Sequence, residues 1–504
     1  MIDRPRLHPL VSLVLAVAIG LLIGAGQAPM GVWPATLAGV ALFTWLMAGR
    51  SGGASFGLGY VVGLAMNTLT VSWVSVLGVG VGVALVGYLS LWWGLMALAI
   101  SKIVTLRAWP VLVPAVWVAM ELASGKVPFG GFSWTRLAYT TIDQPMNGLL
   151  AWIGVAGVSY LVALVANLGL LAVLDKALRL KLVAAITAVF VLGGALNLVP
   201  QAQPTETVTV AVVQPNVNRV EHGTGTYARS VTNNAVSETI FTLADARANG
   251  HAVDFVLWPE NATDVDPELD VEVRRLVELS VELAGVPILV GAVTVGPEPD
   301  TRQTTSIWWD PETGPGAKYH KRDLVPFGEW IPFRDFLLPR LPILEQIGRQ
   351  SIPGEGPGVL ATPVERYPDL KVGTIICFEL AYDDTSYDTA LHGGEVIVSQ
   401  SNTNTYGGSF QVHQQLTINR VRAMELGREV IASTLNSVTA TIDSRGRVTN
   451  ATQEFTADHT IATVPIRDNV NASVYVAPVL SWAALCVTFV AVGAAAVLSR
   501  RQPR

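Results

Sequence analysis

The sequence predicts a polytopic α-helical membrane domain joined to a separate domain of layered strands and helices. Three observations predict this. Hydrophobic residues make up 51% of the 504 and charged residues only 14%, too apolar for a soluble chain of this size. Several stretches approach or exceed the ~18–20 apolar residues that cross a bilayer. The segment 205–470 has a different composition, with 20 Lys/Arg against 35 Asp/Glu, whereas the remainder has 13 against 4.

Spans are expected near 9–26, 31–48, 55–76, 78–100, 108–123, 147–174, 181–199 and 475–499, eight in all. The fifth is the shortest. The third carries glycines and polar residues, which helices tolerate when they face one another. Arg4, Arg6 and the small residues around Ala25–Ala28 have signal-peptide character. More spans follow at once, so this segment reads as a retained first helix. With a cytoplasmic N-terminus, the inside segments carry eleven Lys/Arg and the short outside loops only Lys126 and Arg136. Eight spans then return the C-terminus to the cytoplasm. The expected organisation is a seven-helix membrane domain over 1–200, an extracytoplasmic domain over 205–470 and an eighth helix over 475–499.

Within 205–470, the stretches 207–214, 253–259, 287–295, 306–309, 371–378, 395–400 and 429–435 read as strands, and 266–285 and 409–427 as helices. Strands nearly continuous in Val and Ile, separated by helices, mean sheets covered by helices. The net charge of this segment is −15, which argues against a phosphate-attracting, nucleic-acid-binding face.

Three chemical residues end or follow these strands: Glu260 after VDFVLWP, Lys321 after a short strand near 317–320, and Cys377 at the end of KVGTIIC. The other cysteine, Cys486, lies in the last hydrophobic stretch, so Cys377 has no disulfide partner in its own domain. Each residue also has an ordinary reading: a packed small side chain, a turn carboxylate, and a member of the basic cluster with Lys318 and Arg322. Trp308 and Trp309 read as core, as do Trp92 and Trp93 between helices. Together, Cys, Glu and Lys suffice for acyl transfer. A carboxylate takes the thiol proton as sulfur attacks. An ammonium lowers the thiol pKa and stabilises the oxyanion, which backbone N–H groups near Phe378 also reach.

WPEN at 258–261, YHKRDLVPFGEW at 319–330 and CFE at 377–379, in this order, resemble the Glu-Lys-Cys triad of the nitrilase superfamily. With seven preceding spans and one trailing helix, the chain resembles the apolipoprotein N-acyltransferases, the membrane-embedded branch. The likeness covers essentially the whole chain. It implies a nitrilase-like αββα sandwich for 205–470, Glu260 as general base, Lys321 as oxyanion-stabilising lysine and Cys377 as nucleophile. It further implies a supporting active-site role for Glu329 in the PFGE motif, and for Phe378 and Glu379 after the nucleophile. Two departures stand out. Thr405-Tyr406-Gly407 replaces a common Trp-Phe-Gly, and the stretch NRVEHGTGTYAR lacks a tryptophan expected between about 217 and 230.

The resemblance implies a phospholipid acyl donor, a diacylglyceryl lipoprotein acceptor and a cytoplasmic-membrane location. The apolar, Pro-broken segment 330–348, with Arg334 and Arg340, reads either as an arm dipping into the lipid interface or as a loop packed on the core. No cofactor or metal is expected, because no ligand-spaced cluster or Gly-rich phosphate loop occurs. A tethered amidase, with water resolving the thioester, shares the triad. A transporter or scaffold would carry paired charges within its spans; only Glu121, near a span end, stands out.

Overall fold

The computed structural model describes residues 7–201, 204, 206–217 and 224–501. Seven helices open the described chain: α1 (Pro9–Gly24), α2 (Trp33–Met47), α3 (Gly52–Val71), α4 (Val79–Ile103), α5 (Trp109–Ser124), α6 (Leu150–Leu174) and α7 (Arg179–Leu196). An alternation of strands and helices follows: β1 (Thr207–Gln214), α8 (Thr224–Ala248), β2 (Phe255–Leu257), α9 (Val271–Ala284), β3 (Ile288–Val295), β4 (Thr301–Asp310) and β5 (Gly314–His320). Next come α10 (Arg334–Leu337), β6 (Gln350–Ser351), β7 (Val359–Ala361), β8 (Lys371–Ile376), α11 (Asp383–Leu391), β9 (Val396–Ser401) and α12 (Phe410–Leu426). The chain closes with β10 (Val430–Thr434), β11 (Ala440–Ile442), β12 (Val448–Ala451), β13 (Asp458–Pro465) and α13 (Ala472–Arg501).

The chain divides into two compact units. One comprises residues 1–200, 409–417 and 471–504; the other comprises 201–408 and 418–470. In the first unit, helices stand at all eight expected places. Among the described residues, five helical segments are long and apolar enough to cross a membrane, while α1, α2 and α5 have 15 or 16 residues. The shortest is α2, not the fifth helix, because Gly49 at φ +66° and Arg50 end it early. Glycines let these helices approach closely: a Cβ on Gly20 would meet the Val62 carbonyl oxygen at 2.3 Å, and one on Gly59 would meet Ala97 at 2.4 Å. The Glu121 carboxylate is paired with Arg136 at 3.3 Å, a capped loop contact rather than one of a series of charges lining a path.

The second unit is two sheets face to face. The larger has the order β13-β1-β2-β3-β4-β5, with β6 pairing β4; the smaller has the order β12-β11-β10-β9-β8-β7. Val208, Val210, Val212, Phe255 and Leu257 from the first sheet form one core with Val372, Ile376, Val396, Val398 and Ile431 from the second. On the outer face of the larger sheet, Ala235 and Leu243 of α8 and Val277 and Val281 of α9 cover Val256, Ile288 and Trp309. With α11 and α12 following strands of the smaller sheet, the layers run αββα. Strand β2 is shorter than expected, because Trp258 and Pro259 already belong to the loop that carries Glu260. Helix α9 starts at Val271 rather than 266, since Asp270 is its N-cap, accepting from the Glu272 and Val273 N–H groups. Trp308 and Trp309 are buried, as expected.

Candidate active site

Glu260 lies three residues beyond β2, in a loop held close to β3. The approach depends on Gly291, where a Cβ would fall 2.1 Å from the Pro259 carbonyl oxygen. A link between the sheets fixes the loop further: Gln400 of β9 donates to the Trp258 carbonyl at 2.7 Å, and Ser306 of β4 donates to Gln400. Two residues on, the Asn402 N–H donates to Glu260 Oε2 at 2.6 Å.

Lys321 leaves the end of β5, with its N–H on the Thr304 carbonyl at 2.8 Å and its own carbonyl taken by the Gly354 N–H at 2.8 Å. Its Nζ lies 3.3 Å from Glu260 Oε1 and 2.8 Å from Glu329 Oε1. Glu329 in turn accepts the Val325 N–H at 2.7 Å through its other oxygen, which closes the PFGE turn on itself. Cys377 opens a 3-10 turn directly after β8 and holds φ +52°, a conformation that costs a non-glycine residue ~1–3 kcal/mol. Its thiol feels the charges of Glu260, Lys321 and Glu329. Glu260, Lys321, Glu329 and Cys377 are thus one cluster, with Lys321 only 2% and Glu260 4% exposed.

Burial favours the neutral form of Cys377, Glu260 and Lys321. It pushes the Cys377 thiol well up, with the Glu260 charge adding to the rise and Lys321 opposing it. It also raises Glu260, against the pull of Lys321. For Lys321, burial works against the ammonium, but Glu260, Glu329 and Cys377 outweigh it and hold the pKa well above the ordinary lysine value. Such a cluster places an ammonium, a carboxyl and a largely protonated thiol side by side, a set able to pass a proton from sulfur to carboxylate.

Phe378 and Glu379 lie on the same turn. Phe378 packs edge-on against Tyr382, with ring centroids 5.4 Å apart. Glu379 is fully buried and sits in a ring of donors. Its Oε2 accepts the Ile376 N–H at 2.7 Å. Its Oε1 accepts the Tyr319 hydroxyl at 2.8 Å, the Arg322 N–H at 2.6 Å and the Asp323 N–H at 3.3 Å. One carboxylate therefore ties the backbone before Cys377 to the backbone after Lys321.

Tyr406, part of one departure from the family pattern, also belongs here. Burial pushes its phenol up to about 12, with the charges of Cys377 and Glu329 contributing. Sequence reasoning did not find Asn402, because it acts through its backbone, nor Tyr319 as the partner of Glu379. Residues 218–223 of the tryptophan-free stretch lie outside the described residues. No group of three or more His, Cys, Asp or Glu side chains suited to a metal occurs among the described residues.

Residues 19–168 match the family model for the apolipoprotein N-acyltransferase N-terminal domain, and residues 209–470 match that for carbon-nitrogen hydrolases. The apolipoprotein N-acyltransferase of Mycolicibacterium smegmatis is 30% identical over 87% of this chain and 77% of its own length. Those of Shewanella oneidensis and Methylococcus capsulatus are 26% and 29% identical, over 92% and 86% of both chains. Two domain matches in the expected order, and relatives aligned along most of both chains, show that the chain belongs to the apolipoprotein N-acyltransferase family, within the carbon-nitrogen hydrolases.

Proposed function

We propose that the protein is a membrane-bound acyltransferase that moves an acyl chain from a phospholipid, through a thioester on Cys377, to the α-amino group of a diacylglyceryl-cysteine at a lipoprotein N-terminus. The observation that carries this reading is the convergence of Cys377, Glu260 and Lys321 in one buried cluster, in a chain whose relatives bear that name.

Glu260 takes the thiol proton as Cys377 Sγ attacks the ester carbonyl. The Lys321 ammonium and a backbone N–H near Phe378 receive the oxyanion. The ester C–O bond breaks, Glu260 returns the proton to the departing alkoxide, and a lysophospholipid leaves. The acceptor amine then attacks the thioester. Glu260 takes a proton from nitrogen, the C–S bond breaks, and the thiolate is reprotonated. Glu329 keeps Lys321 aimed, and Glu379 holds the turn that presents the thiol. The charge bias of the flanking loops supports cytoplasmic termini and a catalytic unit outside the cytoplasmic membrane.

The 330–348 segment supports a lipid donor over a small amide. Phe333 is 71%, Phe336 59%, Leu341 46% and Ile343 44% exposed. Arg340 stacks on the Phe336 ring at 4.0 Å, so a cation rides on an apolar surface as an interfacial arm requires.

The test uses the full chain in detergent, a phospholipid with a labelled acyl chain, and a diacylglyceryl lipopeptide. Hydroxylamine-labile label should appear on the wild type, be absent from Cys377→Ala, and move to the peptide amine when lipopeptide is added. Label lost to water regardless of peptide would make the protein a hydrolase. Equal label on both proteins would remove Cys377 from the mechanism.

A further inference from the structure

The catalytic unit holds a concavity of about 610 Å³, within the size range of small-molecule sites. It lies at the carboxyl ends of β2 and β3, bounded by Asp264, Val293, Val295 and Arg302 and, across it, by Gly348 and Arg349 on the return leg of the 330–348 arm. Its walls connect to the triad through short runs of chain. Asp264 is four residues beyond Glu260. Arg302 is two residues from Thr304, whose carbonyl holds the Lys321 N–H, a separation of about 6.6 Å along an extended strand. The Ser351 N–H, two residues past Arg349, donates to the Glu329 carbonyl at 3.0 Å.

The chemistry of the wall is mixed in sign. Asp266 and Asp270 are committed: Asp266 accepts the Val295 N–H at 2.8 Å, and Asp270 caps α9 and pairs with Arg229 at 2.9 Å. Asp264 is not. Its Oδ2 is buried and, among the described residues, has no hydrogen-bond partner. Among the described residues, Arg302 bonds through Nε alone, on Ser351 Oγ at 3.2 Å, which leaves its terminal nitrogens to the pocket. Arg349 is paired only loosely, at 3.4 Å from Asp300, and is 58% exposed. A buried polar atom without a partner is rare enough to need a reason, and two guanidinium groups facing one free carboxyl suit a ligand with an anion and a hydrogen-bond donor a few bonds apart.

We propose that this pocket receives the polar head of the phospholipid donor, with the phosphodiester on Arg302 and Arg349 and an ammonium or hydroxyl of the head on Asp264. This rests on the acyl-transfer reading above and adds a place for the part of the donor that does not react. The phosphodiester lies a few covalent bonds from the ester carbonyl, which matches the short path from Arg302 to Lys321. The exposed Phe333 and Phe336 of the same arm offer the adjoining apolar surface. Burial holds the Asp264 carboxyl at about 7, and a cationic head would draw it to the charged form.

The test compares donors with and without a head in the full-length enzyme. Thioester formation on Cys377 is followed with phosphatidylethanolamine, with phosphatidylcholine, whose methylated nitrogen has no N–H to donate, and with a p-nitrophenyl acyl ester. Arg302→Gln should raise KM about tenfold or more for both phospholipids and leave the headless ester unchanged. Asp264→Asn should erase any preference for the ethanolamine head over choline. Free glycerophosphoethanolamine should compete with phospholipid better than inorganic phosphate does; equal competition would make the site a simple anion site and overturn the proposal. Equal loss on headed and headless donors, or no loss on either, would also overturn it. A defect confined to the lipopeptide step would assign the pocket to the acceptor instead. Failure of wild-type protein to form a thioester from any donor would overturn the acyl-transfer reading itself.

Discussion

Glu379→Gln is the most informative single change, because it keeps shape while removing acceptor capacity. The native carboxylate accepts four hydrogen bonds, one on Oε2 and three on Oε1. A glutamine has one acceptor oxygen. If that oxygen takes the Tyr319, Arg322 and Asp323 donors, the amide NH₂ faces the Ile376 N–H, donor against donor. If it turns the other way, two backbone N–H groups after Lys321 lose their acceptor. The first arrangement sacrifices less. It leaves one buried donor unpaired, costs about 1–3 kcal/mol, and weakens the remaining bonds by removing their charge. A total of about 2–4 kcal/mol is expected, which in a unit of this size means a Tm lower by roughly 4–15 °C. The sacrificed bond sits one residue before Cys377, whose φ of +52° needs external support. The thioester-forming rate, measured per folded molecule well below Tm, should therefore fall by at least about tenfold. A variant with wild-type Tm and rate would refute the role assigned to this carboxylate. A lower Tm with an unchanged rate would reduce it to a purely structural group.

Removing the cation has a different signature. Lys321→Met leaves Glu260 and Glu329 facing each other without a counter-charge; stability should fall by about 3–5 kcal/mol, by thermal unfolding, and no thioester should form. Glu260→Gln keeps a hydrogen bond to Lys321 but cannot take the thiol proton, so acylation should slow by about 10²–10⁴ in single-turnover labelling. Asp264 offers a pH test. Its carboxyl, held at about 7 against an ordinary 3.8, binds its proton more tightly in the folded state, so its contribution favours folding at low pH and is lost as pH rises from 3.8 to 7. Asp264→Asn should flatten that part of the stability–pH profile and raise stability at pH 8, by an upper bound of about 4 kcal/mol, read as a higher Tm. Phe336→Ser, on the exposed arm, should raise KM for phospholipid in nanodiscs while leaving a water-soluble acyl ester unaffected; an equal effect on both would remove the arm from lipid contact.

What the sequence made legible follows physical strength. Helices α1 to α7 and α13 announced themselves because continuous apolar runs leave little alternative, and the Val- and Ile-rich strands β1, β3, β8, β9 and β10 stand within a residue or two of their expected places for the same reason. Helix α8 was not foreseen: its sequence, TGTYARSVTNNAVSETIFTLADARA, mixes Thr, Asn and Ser into a weak apolar face, and only Ala235, Val236 and Leu243 packing on the larger sheet make it a helix. The convergence of Glu260, Lys321 and Cys377 was legible because each sits beside a distinctive motif at a strand end. Its supports were not, because they are contacts between distant chain segments. The Asn402 N–H on Glu260 spans 142 residues, and Tyr319 on Glu379 spans 60.

The site gains its precision from this non-local part. Glu260, Lys321 and Cys377 arrive on three different strands or the loops after them, and rotamer freedom alone would scatter their reacting atoms by more than a hydrogen bond's tolerance. Gln400 joins the two sheets at Trp258, two residues before Glu260, and Glu379 joins the turn of Cys377 to the segment after Lys321. The first bond therefore fixes the Glu260 loop against the facing sheet, and the second fixes the turn of Cys377 against the segment after Lys321, rather than each member to its own strand. A change at Gln400 should accordingly move Glu260 without touching it. Gln400→Leu removes the donor to the Trp258 carbonyl and should slow acylation of Cys377, with the loss appearing in kcat rather than KM, since nothing in that link touches the donor's head or its chain. A rise in KM with kcat unchanged would mean that the cross-sheet bond shapes the binding surface and that Glu260 is held by the Asn402 N–H and Lys321 without it.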